Sequence, residues 1–181
     1  MGGCARRRPA AARDAHRSHE ITIVLSPDRS GIFDVLLVLV RHGLGGTVGN
    51  GRQFMSWIHE HDFVRAVYRL IEREHLHGPV ILAAPNPLPN AEFMRTLREA
   101  WGTRFGLPAP GLILEIGTAI MRTESELVLK SRRVVPGRLL ADGFAFEYLH
   151  WREAAAELCA RWREDHYDFR RADALMASPL L

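Results

Sequence analysis

Two short stretches, Glu20-Ile-Thr-Ile-Val-Leu25 and Val80-Ile-Leu-Ala-Ala84, are apolar on both parities instead of alternating. That pattern restricts the fold more than any other feature of the 181 residues, because it belongs to strands buried on both faces, as in a parallel sheet covered by helices. Between them, Asp62 is placed to cap a helix over Phe63 to Glu74, whose apolar positions Phe63, Val64, Val67, Leu70 and Ile71 follow three-and-four spacing. His77-Gly-Pro79 ends that helix. Helix followed by buried strand is one step of a βαβ arrangement, so the expected class is α/β. One domain's length and a hydrophobic fraction of 47% suffice for a core.

The remaining segments divide by their punctuation. Ser26 to Gly31 reads as a loop, and Ile32 to His42 as either a helix or a second strand, since its apolar run shows no clear period. Gly43 to Gly51 holds five glycines in nine residues and is loop; Phe54 to His59 is a short aromatic strand. Pro85-Asn-Pro-Leu-Pro-Asn90 is a rigid loop whose Asn90 can cap a helix from Ala91 to Trp101. Beyond the break Leu107-Pro-Ala-Pro-Gly111, short helices are expected at Leu112 to Met121, Glu124 to Ser131 and Gly137 to Ala141, a small strand at Gly143 to Tyr148, and a closing helix at Trp151 to Glu164. After Asp165 the composition is polar and mixed, without a packed pattern. No internal repeat is visible. The expected division is a disordered basic extension at 1–19, a sheet-bearing portion at 20–106, a small helical domain at 107–165 and a tail at 166–181.

Charge adds one exclusion. The net +3 is matched by the first twenty residues alone, where Arg6, Arg7, Arg8, Arg13 and Arg17 face only Asp14 and Glu20, so the remainder is neutral and offers no basic nucleic-acid face. Those arginines are not followed by a signal-type apolar segment before Glu20, and Val35 to Val40 is far short of the ~20 residues of a membrane span. Cys4 and Cys159 lie far apart and imply no disulfide framework, which fits a reducing, cytoplasmic compartment.

Three chemistries can be tried on these residues. Gly43-Leu-Gly-Gly46-Thr-Val-Gly49 spells GxxGxxG, but a dinucleotide loop must open a helix whose N-terminus faces the pyrophosphate, and Asn50 to Trp57 opens none, so a connecting loop is the better reading. His59-Glu-His61-Asp62 and His75-Leu-His77 carry metal-ligand types, and an extended segment would put the histidines of each pair on one side. A third ligand at recognisable spacing is missing. No serine lies in G-x-S-x-G. Arg52, Gln53 and Trp57 place donors and an aromatic beside a loop, a set suited to a small polar ligand, while the plain alternative is a core Trp57 and a solvated Arg52.

These residues also carry a resemblance. Ile21 to Pro27, then Gly45-Gly46 with Gly49-Asn-Gly-Arg-Gln-Phe-Met-Ser-Trp-Ile-His59 and Asp62, then Ala84-Pro-Asn-Pro87 with Asn90-Ala-Glu-Phe93, then Arg133-Val-Val-Pro136, Leu139-Leu140 and Gly143-Phe144, in that order, resemble the C-terminal half of an atypical extended short-chain dehydrogenase/reductase. The group is the NAD(P)-dependent epimerase-like, cell-division-inhibitor-like family, which closes with a domain of unknown function. The likeness covers about Glu20 to Trp162. It implies part of a Rossmann-type parallel sheet, its C-terminal strands only, plus a small helical substrate-side domain.

The resemblance further implies an NAD(P) cofactor whose loop and catalytic Tyr-x-x-x-Lys lie upstream of these motifs. Neither is spelled here: Glu72 stands four residues after Tyr68, Arg152 after Tyr148 and Arg171 after Tyr167. Arginine does not replace a lysine whose work is to lower the tyrosine pKa and hold the nicotinamide ribose. Nucleotide-sugar epimerases place an arginine where Met55 stands, which argues against a nucleotide-sugar substrate and leaves Arg52 and Gln53, with Trp57 and His59, as the substrate-side residues the resemblance implies. The expectation is a substrate-side portion that is not catalytically competent alone, partnered by a missing N-terminal half or another chain. The alternative is a non-enzymatic interaction module that uses an exposed sheet edge.

Overall fold

A computed structural model describes residues 22–76, 78–107 and 133–176, with side chains to residue 166. The helices expected at Leu112 to Met121 and Glu124 to Ser131, and the segment 1–19, lie outside the described residues. Strand β1 (Ile23–Leu25) pairs in parallel with β3 (Trp57–His59), in the register Ile23 with Trp57, Val24 with Ile58 and Leu25 with His59. The parallel pairing expected from the doubly apolar β1 is present. Residues 80–84, expected as a third strand, form no regular ladder; they run beside β3 through one bond, from the Ala84 N–H to the Trp57 carbonyl. The aromatic strand expected at Phe54 to His59 is divided in two, because β2 (Phe54–Met55) turns away to pair antiparallel with β4 (Leu88–Pro89). At the division, the Ser56 carbonyl accepts from the Ile23 N–H and its hydroxyl from the Val134 N–H.

β3 is buried on both faces, and this separates two apolar clusters. Trp57 points into the larger, with Leu25, residues of α1 (Ile32–Arg41) such as Phe33 and Leu37, Phe93 and Leu97 of α3 (Asn90–Trp101), and Leu158 of α5 (Trp151–Met176). Ile58 points into the smaller, with Ala66 of α2 (Glu60–Glu72), Leu139 of α4 (Gly137–Ala141), Phe144 and Phe146. The segment Ile32 to His42, open between helix and strand, is helical: Phe33, Leu36, Leu37 and Val40 form a buried stripe of helical spacing. α3 and α5 hold each other through a face-to-face stack of Phe93 on Trp151 with centroids 4.1 Å apart, and the Trp151 indole N–H donates to the Phe93 carbonyl at 2.9 Å.

Several local expectations are corrected. α2 begins at Glu60, three residues early, and His59 caps it, its ring accepting from the His61 N–H; Asp62 sits in the first turn and is used elsewhere. The buried face of α2 is Phe63, Ala66 and Leu70, whereas Val64 and Ile71, expected inside, are 49% and 72% exposed. Asn90 is the first residue of α3 and not its cap, its side chain accepting from the Val48 N–H across the glycine loop. Gly143 to Tyr148 is irregular and makes no strand, and α5 runs on to Met176, well past Glu164. Among the described residues no helix is long and apolar enough to cross a membrane.

A second link joins the far end of α2 to α4. Arg69 donates through Nε to Asp142 at 2.8 Å and through Nη2 to its carbonyl, and His75 faces the other carboxylate oxygen at 2.6 Å. The hydrogen bond from Arg69, then that from His75, holds the Asp142 carboxyl below its usual pKa. A carboxyl whose folded pKa is lowered contributes stability above its unfolded pKa, and loses it as pH falls through the folded value. Asp142→Asn is therefore expected to flatten the acid side of a stability-against-pH curve, below about pH 4, while leaving its shape near neutrality. Trp151→Phe, which keeps the stack but removes the indole donor from a Phe93 carbonyl that retains its helical bond, should cost about 0.5–1.5 kcal/mol, and Trp151→Ala about 3–5 kcal/mol, both read from urea midpoints at constant m.

Candidate functional site

In sheets of parallel strands ligands gather at the carboxyl ends, and here those ends are occupied by a polar cluster. His59, the last residue of β3, is fully buried. Its Nδ1 accepts from the His61 N–H at 3.1 Å, so the proton lies on Nε2, which donates to Glu157 of α5 at 2.8 Å. Tyr148 stacks on the imidazole at 3.9 Å between centroids, nearly parallel. Glu157 also meets Arg161, and Arg161 reaches Glu60 at the start of α2. Burial opposes the charge on Arg161, but Glu60 and Glu157 outweigh it and raise its pKa. Burial first, then the charges of Glu157 and Glu147, raises the Tyr148 pKa as well, so that hydroxyl keeps its proton.

Asp62, buried like His59, completes the cluster. Its two carboxylate oxygens accept from the N–H groups of Glu147 and Tyr148, each at 2.9 Å, and Arg65 supplies the counter-charge at 2.8 Å. This carboxylate pins the irregular 144–148 segment over the first turn of α2, and thereby places Tyr148 on His59. Asp62 was read from the sequence as a cap within a stretch of metal-ligand types, and Tyr148, Glu157 and Arg161 were not singled out as a site; Glu157 is 98 residues from His59, and nothing local signals the pair.

The expected site residues are distributed as follows. Arg52 is exposed on the glycine loop, its backbone N–H donating to the Asn50 side chain and its guanidinium without a hydrogen bond or ion pair among the described residues. Gln53 is an internal tie, donating to the Val48 carbonyl at 2.7 Å while its own carbonyl accepts from the Asn90 N–H. Trp57 lies in the large cluster edge-on to Trp151, and its indole N–H has no partner among the described residues. Trp57 and His59 thus share β3, while Arg52 and Gln53 belong to the loop above it. The histidine pair is drawn apart, since His61 is helical and faces Glu147 at 2.9 Å. Among the described residues no three metal-ligating side chains converge. Cys159 is buried, which pushes its thiol up to about 11.

The glycine loop does not fit a dinucleotide. A phosphate cradle needs free backbone N–H groups, but Gly46 donates to Leu107, Val48 to Asn90 and Gly51 to Val48. The glycines serve packing: a Cβ on Gly45 would lie 2.5 Å from a Val40 methyl, and Gly51 combines a φ of +69° with a close approach to Ala91.

A family model described as a domain of unknown function (DUF1731) matches residues 109–158. The human epimerase family protein SDR39U1 is 33% identical over 130 residues, 72% of this chain and 44% of that protein. SERP0438 of Staphylococcus epidermidis is 35% identical over 136 residues, 75% and 44% of the two chains, and YfhF of Bacillus subtilis is 30% identical over 130 residues, 72% and 42%. A crystal structure of human SDR39U1 (isoform 2) with NADPH superposes at a TM-score of 0.67 and 31% identity, covering 77% of this chain and 46% of that one.

This chain belongs to the epimerase family, and matches its C-terminal region.

A nucleoside-diphosphate sugar epimerase from Corynebacterium glutamicum shares the fold at a TM-score of 0.55 and 22% identity. The chain spans under half the length of these epimerase-family relatives. Within this epimerase-family chain, Asp62→Asn should replace one of the two backbone-facing oxygens by an NH2 group, leaving an N–H of Glu147 or Tyr148 unpaired at a cost of about 1–3 kcal/mol. Hydrogen exchange would show the loss as faster exchange confined to the 147–148 amides and the first turn of α2.

Proposed function

We propose that this chain is the substrate-side, C-terminal portion of an NAD(P)-dependent epimerase- or reductase-like protein, and that it does not transfer hydride by itself. Residues 20–106 would complete a Rossmann-type sheet and 107–165 would form the small helical domain. The observation that carries the reading is how the Gly43–Gly51 loop spends its backbone: the amides of Gly43, Leu44, Gly46, Val48 and Gly51 are bonded within the protein, in a chain whose relative is solved with NADPH. Two features support it further. No tyrosine is followed by lysine at the fourth position, and Tyr148 is pushed toward the protonated form, the opposite of what a tyrosine base requires.

In this reading Arg52 is the contact to a small polar substrate, since its guanidinium is exposed and unengaged among the described residues. Gln53 fixes the loop that carries it, and Trp57 and His59 hold the strand beneath. A missing N-terminal half, in the same polypeptide or another chain, would bring the nicotinamide. A second reading is an interaction module, favoured by β1, which has a strand partner on one side only among the described residues and an exposed Val24.

Titrating the purified chain with NADPH, followed by nucleotide fluorescence and calorimetry, is expected to give no stoichiometric binding in the micromolar range. A saturable one-to-one complex would sink the substrate-side reading.

A further inference from the structure

α2 has two apolar faces, and among the described residues one is packed and the other is left exposed. Ala66 is fully buried, and Phe63 and Leu70 pack with it in the small cluster. Val64, Tyr68 and Ile71 are 49%, 63% and 72% exposed. At about 100° per residue, Val64 and Tyr68 each lie about 200° from Ala66, so this stripe points straight away from the core.

The pattern along the stripe is close to symmetric about Tyr68. Val64 stands four residues before it and Ile71 three after, while Arg65 stands three before and Glu72 four after. Arg65 and Glu72, seven residues apart, share one flank of the helix. When two copies of a helix pack antiparallel about a twofold axis, like flanks meet and residues equidistant from the centre face each other. Tyr68 then lies beside its own copy, Val64 meets Ile71, and Arg65 meets Glu72 twice over. Glu72 is exposed and makes no ion pair among the described residues, and Arg65, which binds Asp62 through Nη1 and lies over the Phe144 ring, is still 39% exposed at its side chain on that flank. On the opposite flank Glu60 is neutralised by Arg161.

We infer that the outer face of α2 is a self-complementary docking surface for a second copy of this chain, joined as an antiparallel helix pair centred on Tyr68. One helix pair buries less than a standard interface, so the association is weak, with a dissociation constant of about 10–1000 μM. Both apolar and charged parts take effect across the same twofold axis.

Sedimentation equilibrium of the full chain over that concentration range tests this. The weight-average mass is expected to rise from monomer toward dimer, and Tyr68→Glu, at an exposed position that leaves folding intact, should abolish the rise. Glu72→Arg should weaken the association about tenfold by setting it against Arg65. In a Cys4→Ser background, Tyr68→Cys should give a disulfide-linked dimer on mild oxidation much faster than Glu153→Cys, an exposed control on α5. A strictly monomeric chain, or a dimer indifferent to Tyr68→Glu, would overturn the inference, the latter pointing to another surface such as the β1 edge.

Discussion

The arrangement depends on one buried carboxylate. Asp62 is closed off from solvent, yet it satisfies two backbone N–H groups and one guanidinium, so its charge is matched on every side. Because those N–H groups belong to residues 147 and 148, the bond fixes a segment that has no secondary structure of its own. From it follow the position of Tyr148 on His59, the closure of the small cluster by Phe144 and Phe146, and the point at which α5 begins.

α5 then reaches back to the strand. Trp151 stacks on α3 at one end, and two turns later Glu157 and Arg161 take hold of His59 and Glu60. The carboxyl end of β3 is accordingly closed by an interlocked set of polar side chains, His59, Glu157, Arg161 and Glu60. At the edge of this set, burial and the charges of Glu157 and Glu147 hold the Tyr148 hydroxyl in its protonated form.

Much of this was legible in the residues themselves. The doubly apolar Ile21 to Leu25 announced a covered parallel strand, and the order of glycine, Gln53-Phe54, Ala84-Pro-Asn and Arg133-Val-Val-Pro136 motifs pointed to the family that the comparisons then showed. The errors have two causes. Val64 and Ile71 were assigned to the core because periodicity cannot tell which of two apolar stripes faces inward. Asp62 and Asn90 were assigned as caps because those residue types favour caps, whereas each is one to three positions inside its helix and bonds to a distant loop.

The sequence by itself determined the class of fold, the helix and strand types of most segments, and the absence of a Tyr-x-x-x-Lys pair, since these rest on local spacing and residue chemistry. Tertiary structure alone decided which atoms meet: that His59 faces Glu157, that the glycine-loop amides are bonded internally, and that one apolar stripe of α2 is left outside. Such contacts join positions up to 98 residues apart, and they are set by how helices pack over the sheet, which no local pattern encodes.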